Sequence, residues 1–173
     1  MKRRFFSQFV IVSAALALAA CSGAADQQTA PHTGESQSSA TLATAEAFLM
    51  AAGSGDMETL SSLMAGDFVW HNEGDTTVPW IGTWKGKDTV LNTFLPAFGA
   101  GLQTTSWTTD YKFADDNQAV FIGTMSAVAN ETGINTGVFS WAVRVEVADG
   151  KVQSWNWFED SYAVSVAYHG TSE

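Results

Sequence analysis

One cysteine, three prolines and eight lysines or arginines in 173 residues set limits before any motif is read. A lone Cys21 can form no intramolecular disulfide and no thiolate metal cluster. The histidines, at positions 32, 71 and 169, show neither HxH nor HxxxH spacing, so neither a metal nor a cofactor is expected. Eighteen Asp and Glu outnumber the basic residues and give a formal charge of −10. Outside the first four residues there is no basic cluster. Phosphate contacts need grouped Lys and Arg, so nucleic acid is excluded as a partner class. Aromatic bulk is what the chain does have: seven Trp and eleven Phe in a composition that is 46% hydrophobic. Such a load builds one globular core and can also supply the wide, rigid walls of a cavity.

The N-terminus reads as an address. Lys2, Arg3 and Arg4 precede an apolar run over residues 5–20, too short for a comfortable membrane span and suited to a signal peptide over residues 1–20. Leu18-Ala19-Ala20-Cys21 resembles the bacterial lipobox, in which the cysteine is lipidated and becomes the first mature residue. The alternative is an ordinary secretory signal with a chance cysteine. The lipobox resemblance implies a protein anchored in the cell envelope through Cys21; Ser22 after the cysteine implies the outer membrane, facing the periplasm. Cleavage before Cys21 would remove three of the eight basic residues and no acidic ones. Five then stand against eighteen, a charge of −13. Residues 21–40 are small and polar and are expected to form a flexible tether.

The domain is expected over residues 41–173. Leu42, Ala45, Phe48, Leu49 and Ala52 recur at helical spacing; Asp56 can cap a second helix over 57–64; a third is expected from Asp88 to about residue 98, shortened or kinked by Pro96. A short strand over 68–72 lies between the second and third. From residue 103 the chain alternates as strands. Residues 103–113 read as one strand, with Thr105, Trp107, Thr109, Tyr111 and Phe113 on one side. Residues 137–162 read as a long hairpin around Asp149-Gly150. Helices first and antiparallel strands after argue an α+β fold with helices on one face of the sheet.

The sequence carries Gly55-Asp56, Asp67-Phe68-Val69-Trp70, Gly82-x-Trp84-Lys85-Gly86, Thr136-Gly137 and Asp149-Gly150-Lys151-Val152, followed by Trp155 and Asp160. In this order the motifs resemble the nuclear transport factor 2-like superfamily, and within it a SnoaL-like domain over about residues 41–166. The resemblance implies a cone-shaped, curved antiparallel sheet closed by three N-terminal helices around a pocket. It implies no single reaction, because the superfamily hosts cyclases, isomerases, epoxide hydrolases, dehydratases and proteins without known chemistry. The Arg and Asp of the epoxide-hydrolase pattern are missing from residues 136–138, and no Tyr stands on the first helices as in the ketosteroid isomerases.

Strand parity puts Gln153, Trp155, Trp157 and Glu159 on one face of the last strand and Phe139, Trp141, Val143, Val145 and Val147 on the matching face before it. A carboxylate beside such a wall would be desolvated and could act as a general base. Glu159 is the candidate by parity and Asp160 by family position. The bland alternatives are a rim charge and a sheet-edge carboxylate. His71 is the third acid–base candidate, although Phe68 and Trp70 take the apolar parity of its strand. Ligand contacts are expected from Trp70, Trp80, Trp84, Tyr111, Trp141, Trp155 and Trp157; Trp80 and Trp84 can equally plug the cone, and Tyr111 can be a core residue. The leading expectation is a lipid-anchored domain whose aromatic pocket binds a small, largely apolar molecule, with no established catalysis. The alternative is a cyclase- or isomerase-type enzyme with one pocket carboxylate as base. A third reading is an interaction module forming homodimers through the outer sheet face, as many relatives do.

Overall fold

A computed structural model describes residues 33–170. The expected signal peptide, Cys21 and residues 21–32 of the expected tether lie outside the described residues. Helix α1 (Thr33–Ser54) begins eight residues before the expected start of the domain, so residues 33–40 of the expected tether are helix. Polar contacts tie this turn to the sheet: Ser38 Oγ accepts the Asp116 amide at 2.9 Å, and buried Thr41 donates to the Asp116 carbonyl at 2.7 Å. Hydrophobic periodicity cannot register such anchors.

Helix α2 (Met57–Leu63) is capped by Asp56, which accepts the Thr59 amide. Strand β1 (Met64–Asn72) follows directly, then a loop and β2 (Gly82–Lys85). The third helical stretch runs as α3 (Lys87–Thr89), a π-helical turn (Val90–Phe94) and α4 (Leu95–Gly101). A proline inside an α-helix collides with the carbonyl four residues back. The wider turn immediately before Pro96 relieves that collision, and the helix continues.

Strands β3 (Leu102–Trp107), β4 (Tyr111–Asp115), β5 (Gln118–Ala129), β6 (Phe139–Ala148) and β7 (Lys151–Glu159) complete one sheet, ordered β2-β1-β7-β6-β5-β3, with β4 also on β5. The architecture is the α+β arrangement expected, a curved sheet with helices packed on it. Its pairs are antiparallel except β1 with β7, which is parallel. Phe48 of α1 packs on Phe68, Trp70 and Trp155 with ring centroids 5.6, 6.3 and 5.1 Å away, which identifies their face as the inner one.

Two irregularities change the parity read from sequence. Val147 pairs with Val152 but Glu146 with Ser154, so Gln153 is an extra residue in β7. Val152 and Trp155 therefore both face the core, where strict alternation set them apart. The expected strand over 103–113 breaks at residues 108–110. Trp107 pairs with buried Met125, while Tyr111 pairs with Ile122 on the opposite face. A further helix follows β7, α5 (Ser161–His169), which buries Val164 and Ala167.

Candidate functional site

The inner face is built in rows across the strands. Trp70, Trp155, Val145 and Ala119 form one; Asn72, Trp157, Val143 and Phe121 the next; Glu159, Trp141 and Gly123 the third. The first row is core. Trp70 and Trp155 lie 5.2 Å apart, with Phe94 4.7 Å from Trp70, and these rings fill the space beneath α1. Trp70 donates its indole N–H to Asn72 Oδ1 at 2.7 Å, and Asn72 donates to the Trp80 carbonyl.

The third row carries the chemistry. Trp141 and Trp157 lie nearly parallel, 5.1 Å apart, and Trp107 stacks on them at 4.2 and 5.7 Å. Gly123 makes the arrangement possible: a Cβ there would sit 2.0 Å from the Thr108 carbonyl oxygen and 2.8 Å from the Trp141 ring. Glu159 stands beside this aromatic wall as the cross-strand partner of Trp141 and accepts the Trp157 indole N–H at 2.8 Å. Burial is the largest influence on its carboxyl and outweighs that hydrogen bond; the Asp160 charge adds to it, and the group is pushed up to about 7. The residue retains partial solvent access. Such a carboxyl can accept or donate a hydrogen bond near neutral pH. The indole N–H of Trp141 is buried without a partner.

The remaining candidates are dispersed. Asp160 is exposed and caps α5 by accepting the Ala163 amide at 3.2 Å. His71 lies on the outer face, its Nδ1 2.6 Å from Thr83 Oγ1 and its Nε2 2.9 Å from Glu73. Trp80 is buried between Phe98 and Tyr168, both edge-on to it, and Trp84 donates to the Trp80 carbonyl; together they plug the fold. Tyr111 stands 68% exposed on the outer face. Of the expected set, then, Glu159, Trp141 and Trp157 are brought together.

Two elements escaped sequence reading. Trp107 stands on a strand face in the sequence but is not assigned to the site, because its partner on β5 is set by a register shift between Thr104 and Ser106. The loop before β2 is clamped to α5 by Asp75, which accepts from Ser165 Oγ at 2.5 Å and from the Thr77 hydroxyl and amide at 2.6 and 2.9 Å. Asp160 as a cap, followed by Val164, Ala167 and Tyr168 at helical spacing, is the signal that would have found α5.

With the fold in place, a match to the sequence profile of the SnoaL-like domain over residues 45–155 decides the family. The chain belongs to the SnoaL-like family. Comparison with curated proteins gives no match. Solved structures similar to this SnoaL-like domain include an NTF2-like protein from Burkholderia xenovorans, at 20% identity and a TM-score of 0.68 over 76% of this chain and 97% of that one. An LEH-like epoxide hydrolase from M. tuberculosis aligns at 19% identity and 0.58, over 76% of this chain and 91% of that one. TerC, co-crystallised with polyporic acid, aligns at 16% and 0.65, over 76% and 99%. At these identities the likeness is one of fold.

Proposed function

We propose that this SnoaL-like domain binds a small, largely apolar molecule at the Trp107–Trp141–Trp157 wall, with Glu159 meeting its polar atom. One observation carries the reading: a desolvated carboxyl on the inner face, held by a single indole N–H and flanked by stacked tryptophans. A structural neighbour of the same fold is known with polyporic acid. Native mass spectrometry of protein purified from its own envelope tests the reading. A co-purifying small molecule that is lost in Glu159→Gln supports it; a ligand retained at wild-type level by that variant places binding elsewhere.

The raised carboxyl favours a second reading, proton transfer next to a carbonyl with Glu159 as general base. Deuterium exchange at the α-carbon of 2-tetralone checks it. Exchange no faster with wild type than with Glu159→Gln removes this reading and leaves the first intact.

We propose further that the protein is lipid-anchored in the envelope through Cys21, on the strength of the lipobox-like run. Among the described residues no helix is long and apolar enough to cross a membrane. Cys21→Ser would then release the protein from washed membranes. Homodimerisation is proposed through the outer face, where Tyr111, Ile122, Ala142 and Phe158 form one row across four strands. Phe158→Asp would shift the solution mass from dimer to monomer.

A further inference from the structure

Trp107 differs from the two tryptophans beneath it. Trp141 is 1% and Trp157 9% exposed, but Trp107 is 41% exposed. It ends β3, an edge strand that carries a register shift between Thr104 and Ser106 and breaks directly after the tryptophan. Its indole N–H makes one long bond, 3.3 Å to exposed Thr109. Stacking on Trp141 and Trp157, the two residues that flank Glu159, is therefore its main tie. The ring it stacks on, Trp141, has a buried indole N–H without an acceptor, which is costly.

Resting on the ligand-binding reading above, we infer that Trp107 is the specificity-determining residue of the Glu159 site, an internal occupant that a planar aromatic ligand bearing a hydroxyl or carbonyl replaces. Rotation of Trp107 off the stack leaves a slot one indole wide. A flat ring of that size regains the stacking on Trp141 and Trp157, and its oxygen reaches Glu159 or the free N–H of Trp141. A saturated ring of equal carbon count is too thick for the slot. Planarity is thus what the site reads, and Trp107 itself is the template.

The test uses 2-naphthol and its saturated counterpart, decahydro-2-naphthol, titrated into wild type and Trp107→Ala. The vacated slot in the variant should bind 2-naphthol at least tenfold more tightly than wild type, because nothing has to be displaced. Wild type should prefer 2-naphthol over the saturated alcohol. Weaker binding of 2-naphthol by Trp107→Ala, or equal binding of both alcohols by wild type, overturns the inference and leaves the ligand-binding reading standing. Binding of neither alcohol by either protein overturns both. A second measurement does not depend on the alanine variant folding. With 5-fluorotryptophan incorporated, the 19F signal missing from Trp107→Phe should move to a solvent-exposed shift when wild type takes up 2-naphthol. If that signal stays in place while those of Trp141 or Trp157 move, Trp107 is not displaced.

Discussion

Trp157 and Glu159 lie two residues apart on one face of β7, and the indole N–H of the first meets the carboxyl of the second at 2.8 Å. One donor is too little for a desolvated carboxylate. Ionised carboxylates in proteins keep low pKa values where two or three donors converge. Here a single neutral one is overridden by burial, with the Asp160 charge adding to the rise. The pair therefore stores a tension that pH releases.

A carboxyl raised from 4.5 to about 7 favours the folded state in its protonated form. That contribution is fully present below pH 4.5 and is lost as pH rises through about 7, to a total on the order of 3 kcal/mol. Glu159→Gln cannot ionise, and its amide oxygen still accepts the Trp157 N–H. The variant should match wild type near pH 4 and exceed it in urea midpoint above pH 8. Parallel pH profiles for the two proteins would show that Glu159 is not desolvated.

Asp160 acts on Glu159 by charge and on α5 by capping, and substitution separates the two. Asp160→Asn keeps an acceptor for the Ala163 amide; it should lower the Glu159 pKa, read by carboxyl 13C NMR, with little change in stability. Asp160→Ala should lower that pKa equally and also cost about 1 kcal/mol through loss of the cap.

Asp75 is held the opposite way. The Ser165 hydroxyl, then the Thr77 hydroxyl and amide, lower its carboxyl to about 2. Its stabilising contribution is present above the ordinary 3.8 and is lost as pH falls towards 2. Amide exchange over residues 73–81, corrected for intrinsic rate, should accelerate in wild type between pH 4 and 3. Asp75→Asn should exchange fast throughout. Wild-type protection in that variant would mean the clamp does not hold the loop.

Gly123→Ala drives a methyl into the Thr108 carbonyl and the Trp141 ring. Overpacking of this kind costs about 1–3 kcal/mol. The near-UV circular dichroism of the stacked tryptophans should weaken in the same variant, because Trp107 and the 108–110 turn must move.

Much of the fold was legible because it rests on local signals. Asp149-Gly150 turns the β6–β7 hairpin, with Asp149 at positive φ, and Asp56 caps α2. Glu159 is reached by counting alternate residues forward from Trp155 and Trp157. The same count failed at Val152, because an inserted Gln153 shifts parity without leaving a compositional trace. It failed at Tyr111 too, since the break at 108–110 goes with the close approach of Thr108 to Gly123, a contact across sequence. Asp75 and α5 depend on partners 90 residues apart, which no local pattern reports.

The parallel pairing of β1 with β7 has a consequence in time. Residues 69–72 bond to residues 154–157, so the first strand waits for nearly the whole domain to be made. Until β7 arrives, Phe68 and Trp70 have neither the strand beside them nor the Trp155 ring to cover them. Closing so long a loop is slow compared with forming the local β5–β6 and β6–β7 hairpins. A nascent chain thus carries an aromatic surface without its full cover, and C-terminal truncation short of residue 154 would leave it in that state permanently.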